Sequence, residues 1–94
     1  MIQLRLVNVM EEIVSGLVRF YLRSPEYQTF CHCEECEMKI IAKALNGLPS
    51  YYVTTENDRN KAFDKLKSSS YIEKINKEIV HAIHVAGKRK NHSE

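Results

Sequence analysis

Three cysteine residues fall within six positions of this 94-residue chain. They form the pattern Cys31-x-Cys33-x-x-Cys36, whose last two members have the two-residue gap of a zinc knuckle. A domain of this length buries a modest fraction of its surface, so it gains from a staple such as a metal ion or a partner subunit. Because zinc prefers thiolate and imidazole ligands in a tetrahedron, the pattern predicts a structural zinc site.

Two other interpretations of the cysteine cluster compete with a metal site. The three thiols could be reduced and inert, or Cys33 and Cys36 could form a redox pair. A thioredoxin-like pair requires a βαβ context, and an odd number of cysteines suits a disulfide framework poorly. If zinc binds, three sulfurs leave a fourth position for water or for another side chain. The candidates are His32, His81, His84, His92, Glu34 and Glu35.

The sequence contains no recognisable catalytic constellation. Glu34 and Glu35 are close to the cysteines, but deaminase-type zinc enzymes carry the catalytic glutamate and the ligands in a two-part signature. That signature is missing here, as are a Gly-rich phosphate loop and a Ser-His-Asp set. We therefore expect no catalytic residues and no enzyme activity.

Hydrophobic periodicity predicts an all-α fold of four helices in a single domain spanning residues 1–94. We expect an ordered core over about residues 4–87 and a polar tail over residues 88–94. The predicted helices cover about residues 4–23, 36–45, 57–67 and 71–86, with Asn57 or Asp58 capping the third. Residues 51–55 have strand propensity. We expect them to form one short extended segment, with no partner strand in the same chain.

The first predicted helix is apolar over a wider arc than one core face needs. Two stripes lie side by side, Leu6-Met10-Ile13-Leu17-Phe20 and Val7-Val14-Val18-Tyr21. We expect one side of this helix in the core and the other against a second subunit. The chain is therefore predicted to form a homodimer.

Charge and hydropathy restrict the partners of the chain. The net charge of +2 is too balanced for a dedicated nucleic-acid-binding protein. The basic run at residues 88–90 is typical of a solvated helix end. No stretch approaches 18 apolar residues, and no signal-peptide pattern is present. We expect no membrane insertion and a cytoplasmic location, where thiols are kept reduced.

Three segments together resemble the late competence protein ComFB family. In chain order they are Val-Asn-Val-Met-Glu-Glu at residues 7–12, the cysteine pattern at residues 31–36, and Ala-Leu-Asn-x-Leu-Pro-x-Tyr-x-Val-Thr at residues 44–54. The resemblance spans almost the whole chain. It implies a small, α-helical, zinc-binding bacterial homodimer that is not an enzyme and is associated with competence. In some relatives a segment after the last helix ends in a histidine or cysteine, which makes His92 the first choice for the fourth ligand and His84 the second.

The resemblance also implies a regulatory function, because some relatives are described as receptors for cyclic dinucleotides. Cyclic di-GMP or cyclic di-AMP would need flat side chains for base stacking and cations for the phosphates. Tyr51, Tyr52, Arg59 and Lys61 are the candidates, although both tyrosines could instead pack in the dimer. The alternative function is an adaptor subunit of the DNA-uptake machinery that binds competence proteins and no small ligand.

Overall fold

The computed structural model of the protein describes residues 5–87. Within them the chain forms four α-helices, which confirms the predicted all-α class. The helices are α1 (Val9–Leu22), α2 (Glu34–Asn46), α3 (Glu56–Leu66) and α4 (Ser69–Ala86). A single 3-10 turn, Pro25–Tyr27, follows α1. No helix in this part of the chain is long and apolar enough to cross a membrane.

The extended segment after Pro49 pairs within its own chain, so our prediction of an isolated segment was wrong. Strands β1 (Val7–Asn8) and β2 (Tyr52–Val53) form an antiparallel ribbon in which Val7 faces Val53. Sequence periodicity missed β1 because its one apolar residue, Val7, continues the helical spacing of α1. The first helix therefore begins at Val9 rather than near residue 4.

Asn8 explains why the strand stops and the helix starts at this point. Its side-chain Oδ1 accepts a hydrogen bond from the Met10 N–H at 3.2 Å and another from the Tyr51 N–H at 2.9 Å. One side chain thus caps α1 and fastens the segment that leads into β2.

The cap of α3 also differs from the prediction. Thr55, rather than Asn57 or Asp58, is the N-cap, and its hydroxyl accepts a hydrogen bond from the Asp58 N–H at 3.1 Å. Asp58 lies inside the first turn instead, where its carboxylate suits the positive end of the helix dipole.

The core lies between α1, α2 and α4, and α3 closes it through Ala62 and Leu66. The buried side chains of the three central helices are Val9, Met10, Ile13, Val14, Val18 and Leu22 of α1, Cys36, Ile40, Ile41 and Ala44 of α2, and Ile75, Ile79, Ala82 and Ile83 of α4. Two residues of the first predicted apolar stripe are exposed, Leu6 at 75% and Phe20 at 69%. Leu6 precedes the helix, and Phe20 lies on the opposite side of α1 from Val14 and Val18.

The end of α4 lies against the segment that carries the cysteines. The ring of Phe30, one residue before Cys31, is 5.9 Å from the ring of His84. A Cβ on Gly87 would come within 2.9 Å of Phe30 Cδ1, so only glycine allows this close approach. The chain therefore leaves α4 beside the cysteine cluster.

Candidate metal centre

The three cysteines converge at the start of α2. One ligand atom from each of Cys31, Cys33 and Cys36 can be chosen so that all lie within 4.8 Å of one another. A tetrahedral zinc ion with Zn–S bonds of about 2.3 Å sets its sulfurs about 3.8 Å apart. The three sulfurs fit around such an ion once they move slightly closer together. The prediction that these residues form one cluster is confirmed.

Backbone groups help to shape the site. Cys33 is the N-cap of α2, and its Sγ accepts a hydrogen bond from the Cys36 N–H at 3.5 Å. The Cys33 N–H in turn donates to Cys31 Sγ at 3.5 Å. Amides that point at sulfur, together with the positive end of α2, stabilise negative charge on thiolates. The local backbone is thus arranged for metal-bound sulfurs.

Burial distinguishes the three thiols. Cys36 is only 3% exposed, since it begins the buried face of α2, whereas Cys33 is exposed. Burial, followed by hydrogen bonding of the Cys36 thiol with Cys33 and Cys31, raises the pKa of this thiol to about 12. In the metal-free chain this thiol is therefore neutral at pH 7. A metal ion that binds here must displace its proton.

The part of the chain that the structure describes brings no fourth ligand to the sulfurs. Within residues 5–87, no histidine or carboxylate joins the cluster at the same distance. His84, the second choice, stacks edge-on against Tyr27 and Phe30, with ring centroids 6.0 and 5.9 Å away. His92, the first choice, lies outside the described residues.

The residues proposed for a cyclic dinucleotide are only partly brought together. Tyr52 and Arg59 line one cleft of about 1110 Å³, and Tyr52 is 58% exposed. Tyr51 is half-buried, with the Lys65 ammonium 5.5 Å above its ring. Neither Tyr51 nor Lys61 lines the cleft. The cleft also contains the carboxylates of Glu11, Glu12 and Glu56, which oppose phosphate binding.

The guanidinium of Arg59 is held by a carboxylate that sequence reasoning missed. It forms a bidentate pair with Glu12, donating hydrogen bonds from Nε to Oε1 at 2.9 Å and from Nη2 to Oε2 at 2.9 Å. This hydrogen bond holds the pKa of Glu12 below its ordinary value. Glu12 is 47 positions from Arg59 and has no local pattern with it, so the sequence alone could not pair them.

Replacing Glu12 with glutamine should lower the melting temperature at pH 7 by about 2–4 °C, as expected for a partly exposed ion pair. Because the folded-state pKa of Glu12 is lowered, its stabilising effect is present above the unfolded-state pKa and is lost as pH falls through the folded-state value. Thermal melts across the acid range should therefore show the two proteins converging at low pH. Glu73→Gln is the matched control on α4, and a constant difference at every pH would contradict the assignment.

Comparison with known proteins gives one match to a family model. The family model described as late competence development protein ComFB matches residues 7–90, nearly the whole chain. Neither the curated proteins nor the solved structures include a significant match. The matched range contains the ribbon, all four helices and the three converging cysteines. The chain therefore belongs to the late competence development protein ComFB family.

Proposed function

We propose that the protein is a zinc-stabilised, non-catalytic regulatory domain that acts in competence as a cytoplasmic homodimer. The observation that carries the proposal is the convergence of three sulfurs, with amide donors, at the start of a core helix. Zinc at this point would hold the loop after α1 against α2 and so stabilise a small core.

The fourth ligand in this proposal is His92. Gly87 lies beside Phe30, next to Cys31, and His92 is five positions after Gly87. Five residues span at most roughly 17 Å, which is ample for a return to the cluster. Four protein ligands would leave no open coordination position, which is the mark of a structural rather than a catalytic zinc site.

The purified protein should contain about one zinc per chain, and His92→Ala should weaken zinc affinity at least about tenfold. Competition with a chromogenic chelator measures both the zinc content and the zinc affinity. His81→Ala is the control, because His81 is exposed on α4 and should have no effect. If His84→Ala weakens binding and His92→Ala does not, the fourth ligand is His84. A chain that binds no zinc would overturn the metal function itself.

A cyclic-dinucleotide receptor is the finer form of the regulatory function. The cleft beside the ribbon supports it, since its volume of about 1110 Å³ and its Tyr52 and Arg59 side chains offer space, stacking and a cation. The three carboxylates in the cleft weigh against it. Calorimetric titration with cyclic di-GMP and with cyclic di-AMP distinguishes a cyclic-dinucleotide receptor from an adaptor subunit that binds no small ligand. Heat that Tyr52→Ala abolishes supports the receptor, and no heat with either nucleotide leaves the adaptor function.

A further inference from the structure

An exposed stripe runs along α1 on the side away from the core. Glu12, Gly16 and Phe20 follow one another at four-residue spacing, and Arg23 extends the stripe beyond the last turn. At about 100° per residue, these four positions fall within an arc of roughly 80°. Phe20 is exposed, whereas a Cβ on Gly16 would meet no atom within 4 Å. The stripe therefore has a protruding ring at Phe20 and an open notch at Gly16.

The stripe is complementary in shape to the same stripe on a second copy of the chain. If two antiparallel copies of α1 cross at the level of residue 18, Phe20 of each copy lies opposite Gly16 of the other. The ring then enters the notch that glycine leaves, and a cavity of about 550 Å³ beside Gly16 and Phe20 provides the room. Each contact occurs twice, as a two-fold interface requires.

The same alignment brings opposite charges together. Residue 23 lies five positions after the crossing point and residue 12 lies six positions before it, so they differ by about 1.5 Å along the axis. Arg23 of one copy therefore reaches Glu12 of the other. Glu12 already accepts hydrogen bonds from Arg59, but a carboxylate has lone pairs for further donors. A crossing at the level of residue 21 would instead place Arg19 of one copy against Arg23 of the other.

Other exposed apolar side chains lie where the second copy would arrive. Leu6 and Tyr52 line the cleft that also contains Glu12. The turn after α1, with Ser24 and Pro25, follows Arg23 directly and would reach this cleft in the antiparallel arrangement. The pairing thus covers Leu6, Phe20 and Tyr52, three of the large apolar side chains that a single copy exposes.

We infer that this stripe of α1 is the interface of the homodimer, with Phe20 of each copy seated at Gly16 of the other and Arg23 paired with Glu12. The inference rests on the homodimer of the proposed function and names its surface. It assigns Phe20 and Gly16 to subunit recognition rather than to the core.

Sedimentation equilibrium of the full chain with zinc present tests this interface. Gly16→Leu should raise the dimer dissociation constant at least about tenfold, because the new side chain fills the notch. The same change improves helix propensity, so loss of the dimer cannot be ascribed to loss of folding. Phe20→Ala should have a similar effect. Met38→Ala removes another exposed apolar side chain, on α2, and should leave the dimer unchanged.

A photo-reactive phenylalanine analogue at position 20 locates the contact directly. Mass spectrometry should find it crosslinked to the peptide that contains Gly16 of the other copy. A dimer that tolerates both Gly16→Leu and Phe20→Ala, or a crosslink to a different segment, would overturn the inferred interface but not the homodimer. A wild-type chain that stays monomeric would overturn both, while its zinc content remains an independent result.

Discussion

Replacing Cys36 with serine should release the metal and lower the free energy of unfolding by about 3–5 kcal/mol, the range typical of a lost structural metal. Serine is close to cysteine in size, but its hydroxyl is a poor zinc ligand at neutral pH. Cys36 is also the most buried of the three thiols, so the substitution leaves a polar hydroxyl in a site that is 3% exposed. Urea unfolding of both proteins in buffer that contains zinc gives the change in stability, and metal analysis of the purified proteins gives the zinc content.

The effect of the metal can be separated from the effect of packing. Adding a strong chelator should lower the stability of the wild-type chain toward that of the Cys36→Ser variant. The difference in free energy of unfolding that remains between the two metal-free chains measures the cost of the buried hydroxyl. His32→Ala is the matched control, since His32 lies between two of the proposed ligands but is exposed and should not change zinc content. Equal stability of the wild-type chain with and without chelator would show that zinc does not stabilise this fold.

Replacing Ile79 with alanine should lower the free energy of unfolding by about 3–4 kcal/mol. Ile79 is fully buried on the face of α4 that packs in the core. Removing its three outer carbons leaves a cavity that the surrounding helices can fill only in part, so dispersion contacts are lost in addition to the transfer free energy. Urea unfolding at saturating zinc measures the change.

The matched control for this substitution lies on the same helix. Val85 is 57% exposed, so Val85→Ala should change stability by no more than about 0.5 kcal/mol. If both variants lose the same amount, burial of Ile79 does not explain the loss, since alanine raises helix propensity at both positions, and the position of the core would have to be reconsidered. Because Ile79 is remote in sequence from the cysteines, its variant should still bind about one zinc per chain, as three thiolates predict.

Local patterns predicted those parts of the molecule that depend on neighbouring residues. Helical spacing predicted the four helices, and the gaps between Cys31, Cys33 and Cys36 were short enough to predict their convergence. The contacts that were missed join distant segments. β1 contains one apolar residue, Val7, whose spacing suits a helix equally well, and only the pairing of β1 with β2 makes it a strand. Phe20 fits the apolar spacing of α1, but the packing of α2 and α4 decides which side of that helix is buried.

The hydrogen bonds of Asn8 have a consequence for the order of folding. One oxygen serves the amides of Met10 and Tyr51, which belong to segments 41 positions apart. The cap of α1 can form locally, but the Asn8 oxygen engages both donors only after a loop that includes the whole cysteine segment and α2 has closed, and such closure carries an entropic cost. The complete set of hydrogen bonds at Asn8 is in this way linked to docking of the central half of the chain. A nascent polypeptide that ends before Tyr51 lacks one of the two donors that this oxygen engages in the native protein.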